Sequence, residues 1–213
     1  MIAPWTFQCE NLHIQFDAKV TPSSRTADLL KLLDLNMIAD QKMLLTISKM
    51  RSTCFSDNDF ITSHEVILKV ATTYNAVEYY FPLLAIVDAP HSIIRGALLG
   101  YTKHIGAVEI TDTSKTFHWE GGDNSISHDV LQSTNEEITL HPHLTYRNFR
   151  TRDFQAKGFS TLDITDYSAS PILKCNPITI DLPFLKCCGI TPLRSYKLGF
   201  ASDSFTVHGA QYV

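Results

Sequence analysis

Alternation of apolar and polar residues is the feature that most constrains what this chain can fold into. The stretches Leu12–Phe16 and Ile178–Leu182 both alternate with a period of two. This period puts every second side chain on the same face of an extended strand, so both stretches are predicted strands. Further stretches rich in β-branched and aromatic residues are also predicted strands: Met43–Met50, Val66–Thr72, Val77–Val87, Gly106–Thr111, Ile138–Tyr146, Phe159–Thr165, Tyr196–Phe200 and Phe205–Val213.

Two stretches favour helices. Ser23 or Ser24 is a suitable N-cap for a helix that carries apolar residues as far as Leu33. The second runs from about Ser92 to Leu99, after a proline. Many short strands with few helices predict a mostly β (α+β) fold, an antiparallel barrel or sandwich. A barrel that its own side chains do not fill can hold one small ligand.

Size and charge narrow the class of protein. A chain of 213 residues suits one domain, so residues 1–213 are expected to form a single domain. The net charge of -4 and the lack of a Lys/Arg cluster argue against a nucleic-acid partner. No stretch approaches the ~20 apolar residues that cross a bilayer, and the first residues do not form a signal peptide pattern. We therefore expect a cytoplasmic protein with a small-molecule partner and no membrane partner.

Cysteine and histidine spacing does not favour a metal. The five cysteines include no CxxC pair, which is typical of reduced thiols. His141 and His143 flank Pro142 and would share one face of a strand, but no third ligand is evident, so an edge strand is favoured over a metal site. We predict neither a metal nor another cofactor.

The most informative segment surrounds Lys103. An apolar strand ends at Asp88, a short helix follows, and the stretch GYTKHIG leads into a new strand. Lys103 lies at this junction beside His104 and among leucines and an isoleucine. Burial or a protonated neighbour disfavours the ammonium form and leaves an amine that can attack a carbonyl. On composition alone, a surface lysine in a turn is the more common outcome.

This segment resembles the acetoacetate decarboxylase family. Members of that family carry an apolar strand ending in Asp, a short helix with Gly-Arg-Glu, and then Gly/Ala-Tyr-Pro-Lys-Lys-Leu-Gly. The corresponding parts of this chain are Asp88, the helix residues Arg95-Gly96-Ala97 and the stretch from Gly100 to Gly106. The resemblance implies an antiparallel β barrel or cone and a homo-oligomer.

The resemblance also implies roles for individual residues. The first lysine of the family's pair forms an imine with the substrate, and its counterpart is Lys103. The glutamate upstream of the apolar strand corresponds to Glu65, which would transfer protons. His104 stands in place of the family's second lysine and would help to set the charge of Lys103. The expected substrate-binding residues are Tyr101, Arg95 and Leu99.

The departures from the family pattern suggest a different substrate. No arginine near Cys9–Asn11 matches the one that holds the substrate carboxylate, and Met43–Met50 lacks an expected acid. A larger and more apolar substrate than acetoacetate is therefore expected.

Three functions remain open at this point. The first is an imine-forming lyase, of decarboxylase or aldolase type, acting on a keto or polyketide-like compound. The second is a cofactor-independent cyclase or pericyclase-type enzyme of secondary metabolism that uses the same pocket without an imine. The third is a non-catalytic binder of a hydrophobic small molecule. Lys103 and Glu65 are predicted to point into one interior cavity, with Tyr101 near its mouth or wall.

Overall fold

The architecture comes from a computed structural model that describes residues 4–35, 41–53, 60–120, 122–135, 138–151, 154–193 and 196–213. These residues contain thirteen strands and three helices. The strands are β1 (Trp5–Val20), β2 (Gln41–Thr53), β3 (Phe60–Tyr74), β4 (Val77–Val87), β5 (Lys103–Ile105), β6 (Val108–Ile110), β7 (Ser114–Trp119), β8 (Gly122–Asn135), β9 (Leu144–Thr151), β10 (Phe154–Ala169), β11 (Leu173–Asp181), β12 (Ile190–Pro192) and β13 (Lys197–Tyr212). The helices are α1 (Arg25–Leu32), α2 (Pro90–Leu99) and α3 (Phe184–Cys187). No helix of the described residues is long and apolar enough to cross a bilayer.

All thirteen described strands belong to one sheet, whose main path runs β5-β4-β3-β2-β1-β13-β11-β8-β7-β6. Strand β10 branches from β13 and pairs with β9, and β12 pairs with β1. The ladders are antiparallel except that between β4 and β5, which is parallel because α2 carries the chain back across the sheet. The prediction of a mostly β fold with few short helices is confirmed.

The branch formed by β10 and β9 returns to the far side of the sheet. There the Tyr80 amide donates to the Pro142 carbonyl oxygen at 2.8 Å, and Tyr80 and His143 form a parallel bridge. This single bridge brings β4 next to the start of β9 without a continuous ladder. The sheet is therefore an incompletely closed cone.

One face of the long strands carries the main hydrophobic core. Leu12 and Ile14 of β1, Leu45 of β2 and Leu68 of β3 are completely buried there. Leu30 of α1 and Phe184 and Leu185 of α3 belong to the same cluster. The alternation seen in the sequence thus corresponds to a face covered by these two helices.

The opposite face, which we call the interior face, combines polar and apolar residues. It comprises, in ladder order, Cys9, Asn11, His13 and Gln15 of β1, then Met50, Ser48, Thr46 and Leu44 of β2, and Ser63, Glu65, Ile67 and Lys69 of β3. A second apolar cluster adds Trp5, Phe7, Ala85, Leu99, Tyr101 and Val207 to three of these residues. Polar side chains at buried positions are expensive unless they find partners, so this face is the natural place to look for a functional site.

The structure confirms some boundaries predicted from the sequence and corrects others. Ser24 is the N-cap of α1 and accepts a hydrogen bond from the Ala27 amide. Helix α2 begins at Pro90 rather than near Ser92, because proline is well accommodated in the first turn.

The later strand predictions need larger corrections. The two strands predicted for Tyr196–Phe200 and Phe205–Val213 form one strand, β13. Residues 138–143 of the predicted strand Ile138–Tyr146 are irregular, and regular pairing begins only at Leu144. Pro142 has no amide hydrogen for a ladder, although its carbonyl still binds β4. Three strands (β5, β8 and β12) and helix α3 were not predicted.

Candidate active site

The centre of the candidate site is an ion pair between Lys103 and Glu65. Glu65 is paired with Val87 on β4, and Lys103 is paired with Ala85, two residues away on the same strand. Both side chains therefore point to the interior face, from strands that flank β4. The Lys103 Nζ contacts Glu65 Oε2, and the two side chains are only 10% and 7% exposed.

Ser92 of α2 completes a triangle with this pair. Lys103 Nζ donates to Ser92 Oγ at 3.1 Å, and the serine hydroxyl donates to Glu65 Oε2 at 3.4 Å. Ser92 is 2% exposed. The ammonium, the hydroxyl and the carboxylate thus satisfy one another in a region with little water, where each would otherwise be costly to bury.

Two residues of the Lys103 segment explain how the pair is positioned. A Cβ atom on Gly96 of α2 would lie 2.6 to 2.8 Å from three side-chain carbons of Lys103, so the glycine leaves the room that the lysine occupies. The Asp88 carboxylate accepts from the His64 amide at 2.8 Å and lies 2.6 Å from His64 Nδ1. These bonds hold the ends of β3 and β4 together, one residue away from Glu65.

Tyr101 and Leu99, two of the predicted substrate-binding residues, lie beside the pair. Lys103 Nζ is 5.6 Å from the centre of the Tyr101 ring. Both Tyr101 and Leu99 are 7% exposed and belong to the apolar cluster of the interior face. Burial, and to a smaller extent the Glu65 charge, raises the pKa of the Tyr101 hydroxyl well above its usual value. The hydroxyl therefore keeps its proton at neutral pH.

The other two predicted residues are not brought into contact with the amine. The His104 ring packs against Trp119, with ring centres 4.7 Å apart, because neighbouring residues of β5 point to opposite faces. The Arg95 guanidinium donates to Ser52 Oγ at 2.8 Å and to the Thr53 carbonyl oxygen at 3.1 Å. Arg95 thus links α2 to the end of β2, and the roles predicted for His104 and Arg95 stay predictions.

Sequence analysis missed a second buried lysine on the interior face. Lys69 lies four residues after Glu65 on β3 and is 4% exposed. Its Nζ is 3.2 Å from Nε2 of His143, and the other ring nitrogen of His143 contacts the Tyr101 hydroxyl. Burial lowers the pKa of Lys69 from 10.5 to about 8. The alternation in β3 was the signal that could have found Lys69, since it shares a face with Glu65.

Two histidines near Lys69 are held neutral. Burial and the neighbouring Lys69 lower the pKa of His13 from 6.5 to about 3. Burial, followed by the charges of Lys69 and Lys103, lowers the pKa of His143 well below 6.5. Both ring nitrogens of His143 already have protein neighbours, and the described residues contain no group of three or more His, Cys, Asp or Glu side chains placed to hold a metal.

Two cavities open near the ends of the interior face. One of about 640 Å³ is bordered by Cys9, Met50 and Asp203, one row of residues beyond Glu65. The other, of about 370 Å³, is bordered by Ala71 and His141 among others. Lys103 and Glu65 line neither of these two cavities, and the prediction that they share one stays a prediction.

The arrangement combines the elements of carbonyl chemistry. A buried amine lies against a carboxylate that can take its proton, and the ring of Tyr101, whose hydroxyl stays protonated, lies 5.6 Å from the amine. A nucleophile with an adjacent base is the usual arrangement for covalent catalysis. The fold and this cluster together describe a β cone with a buried lysine–carboxylate pair.

Comparison with known proteins supports the fold. No family model and no curated protein matches the sequence. Among solved structures, an acetoacetate decarboxylase-like enzyme from Sphingomonas wittichii RW1 is 18% identical with a TM-score of 0.75, and the match covers 100% of this chain and 94% of that one. The enduracididine biosynthesis enzyme MppR is 16% identical with a TM-score of 0.70, covering 99% and 88%. Acetoacetate decarboxylase from Legionella pneumophila is 13% identical with a TM-score of 0.68, covering 100% and 88%. This chain therefore has the acetoacetate decarboxylase-like fold.

Proposed function

We propose that this chain is a small-molecule lyase that forms an imine between Lys103 and a keto substrate. The observation that carries the proposal is the contact of the buried Lys103 amine with the Glu65 carboxylate. A protonated amine cannot attack a carbonyl, so the nucleophile needs a base within reach. Glu65 is that base, and Ser92 orients both groups through its hydroxyl.

The proposed reaction passes through an imine and then an enamine on Lys103. Lys103 gives one proton to Glu65, and its nitrogen then attacks the keto carbon. The keto oxygen takes up one proton from the attacking nitrogen and one from Glu65 and leaves as water, which produces the protonated imine and returns Glu65 to the carboxylate. This cation accepts the electron pair of the breaking bond between its α-carbon and the departing carbon, which leaves as CO₂ or as an aldehyde whose hydroxyl proton passes to Glu65. The α-carbon of the resulting enamine takes a proton, from Glu65 after loss of an aldehyde and from solvent after loss of CO₂, and hydrolysis releases the product and returns the amine of Lys103.

The structural neighbours support more than one outcome for such an imine. MppR has been solved with pyruvate and with the condensation product of pyruvate and imidazole 4-carboxaldehyde. By analogy, aldol-type condensation or dehydration stands beside decarboxylation for this chain. Fold similarity alone does not choose between these reactions.

The interior face favours a substrate with an apolar body. Trp5, Phe7, Leu99 and Val207 form one apolar cluster with Tyr101, whose ring lies 5.6 Å from the Lys103 amine. We assign substrate contact to Leu99 and Tyr101, whereas Arg95 supports the site from behind through Ser52 and Thr53. A keto acid with a longer carbon chain than acetoacetate fits this lining.

Reductive trapping tests the proposal. Borohydride adds hydride to the imine carbon and leaves a stable secondary amine, so a keto acid becomes attached to the lysine. We expect incubation with pyruvate or 2-oxooctanoate and borohydride to add the corresponding mass to Lys103, with more adduct from the longer acid. Lys103→Met should give none, whereas Lys115→Met, which removes another buried lysine, should behave like the wild type. A folded wild-type protein that forms no adduct at Lys103 would contradict the proposal.

A cyclase that uses no imine is the second candidate. It is favoured by the same ion pair, because an amine held as an ammonium is a hydrogen-bond donor and not a nucleophile. In that case Lys103→Ala should retain appreciable turnover of the natural substrate, since shape complementarity supplies most of the rate. Binding of apolar compounds without any turnover would indicate the third function, a non-catalytic binder.

A homo-oligomer, measurable by light scattering, remains part of the proposal.

A further inference from the structure

A chain of three side chains connects Lys69 to the wall of the proposed substrate site. Lys69 Nζ lies 3.2 Å from His143 Nε2, and His143 Nδ1 contacts the Tyr101 hydroxyl. The Tyr101 ring in turn lies under the Lys103 amine. Lys69 and Tyr101 are 4% and 7% exposed, so water does not readily compete for these contacts.

The chemistry of a neutral imidazole makes this chain directional. One ring nitrogen carries a hydrogen and donates, while the other accepts. An ammonium group only donates. When Lys69 is protonated it donates to Nε2, so the ring proton lies on Nδ1 and is donated to the Tyr101 oxygen. The tyrosine hydrogen is then directed away from His143.

Loss of the Lys69 proton reverses the chain. A neutral amine accepts hydrogen bonds as well as donating them, which allows the ring proton to move from Nδ1 to Nε2, and one proton in total leaves to solvent. Nδ1 then becomes an acceptor and captures the Tyr101 hydrogen. The tyrosine no longer has a hydrogen to offer to another molecule.

We propose that Lys69, acting through His143, directs the Tyr101 hydroxyl towards the substrate and thereby makes Tyr101 the hydrogen-bond donor to the substrate's keto oxygen. Lys69 is a positioning residue in this scheme, since it acts only through the histidine. The inference rests on the proposed function for the identity of the acceptor. The coupling between Lys69 and Tyr101 is a property of the protein and does not depend on the imine.

Burial and the charges around Lys69 determine the pH at which Lys69 loses its proton and the His143 tautomer changes. Burial lowers the pKa of Lys69 to about 8, while the carboxylates of Glu65 on β3 and Asp203 on β13 raise it in part. His13 on β1 and His143 face the same lysine as neutral rings, and Lys103 on β5 faces His143. The donating arrangement of Tyr101 should therefore dominate below about pH 8 and give way above it.

Nitrogen NMR of histidine-labelled protein tests the coupling without any substrate. The His143 signals, assigned by their absence in His143→Gln, should change from the Nδ1–H to the Nε2–H tautomer as the pH rises past about 8. In Lys69→Met the tautomer should be the same from pH 6 to 10, whereas in Lys115→Met it should change as in the wild type. An unchanging wild-type tautomer, or the same change in Lys69→Met, would overturn the proposal. Lys69→Gln replaces Lys69→Met if the latter does not fold.

The second measurement is the turnover rate, without borohydride, of a keto acid that forms the reductive adduct at Lys103. The wild-type turnover rate should fall above about pH 8. The rate of Lys69→Met should be at least 10-fold lower than that of the wild type and should not fall near pH 8. The rate of Tyr101→Phe should be equally low. The double variant Lys69→Met/Tyr101→Phe should be no slower than either single one. Independent, multiplying losses would overturn the positioning role. A failure of reductive trapping at Lys103 would contradict the proposed function but leave the NMR result to decide the coupling.

Discussion

Lys103 and Glu65 meet across β4, the strand that lies between them in the sheet, and Ser92 binds both from α2. Their ladder partners Ala85 and Val87 are two residues apart, so both side chains reach the same face. Neither group has an exposed fraction above 10%. Each charge of this buried pair is therefore compensated mainly by the other.

Removal of one member of the pair should cost more than removal of both. Lys103→Met leaves the Glu65 carboxylate buried without its cation, which typically costs about 3–5 kcal/mol. The double variant Lys103→Met/Glu65→Gln should recover much of this loss, because no uncompensated charge remains. Urea denaturation measures the free energies of unfolding.

The exposed pair of Lys49 and Glu10 is the matched control. Their nitrogen and oxygen are 3.9 Å apart and the side chains are 50% and 58% exposed, so Lys49→Met should cost less than about 1 kcal/mol. Strictly additive losses at Lys103 and Glu65 would show that the two groups do not interact in solution.

Gly96→Ala should displace Lys103. Alanine in place of glycine normally stabilises a helix by about 1 kcal/mol. Here the new Cβ would lie 2.6 to 2.8 Å from the lysine methylenes, and overpacking of this kind costs about 1–3 kcal/mol. We expect a folded protein of equal or lower stability whose reductive adduct at Lys103 falls at least 10-fold. Ala97→Gly, at an exposed position of the same helix, should lose about 1 kcal/mol and keep the adduct. A fully trappable Gly96→Ala protein would mean that the glycine does not position the lysine.

Acid should destabilise the protein through His13. The pKa of His13 is about 3 in the folded state against 6.5 as its ordinary value, so the unfolded chain binds the extra proton between these two pH values. Stability therefore falls as the pH is lowered from 6.5 to 3, by up to about 5 kcal/mol from this residue. His13→Gln should flatten this part of the stability profile, although His143 contributes in the same direction and some slope will remain. His118→Gln, whose ring is 67% exposed, should leave the profile unchanged.

Lys69→Met should stabilise the protein at neutral pH. With a pKa of about 8 in the folded state and 10.5 as its ordinary value, Lys69 binds a proton more weakly when folded. The charged form thus costs about 3 kcal/mol below pH 8, and this cost disappears as the pH rises from 8 to 10.5. The difference in unfolding free energy between Lys69→Met and the wild type should shrink over this range. A difference that does not vary with pH would show that Lys69 titrates normally.

Local pattern was sufficient for the strands and for part of the site. Alternation predicted the core of β1, because a strand with one face in a hydrophobic core must repeat every two residues, and residue types predicted the core of β2. Ser24 was identifiable as a cap from its chemistry and position. The short helix, its glycine and the lysine that follows were recognisable as one segment, since their spacing within about ten residues is a local property.

Tertiary structure alone decided which side chains meet. Glu65 and Lys103 are 38 residues apart, and Lys69 and His143 are 74 apart, so only the pairing of β3, β4 and β5 and the bridge from β9 bring them together. Successive residues of β5 point to opposite faces, so Lys103 enters the interior while His104 packs on Trp119. A one-residue change of strand register would exchange their positions. Sequence spacing specifies residue types along a strand, whereas the register between strands determines their neighbours.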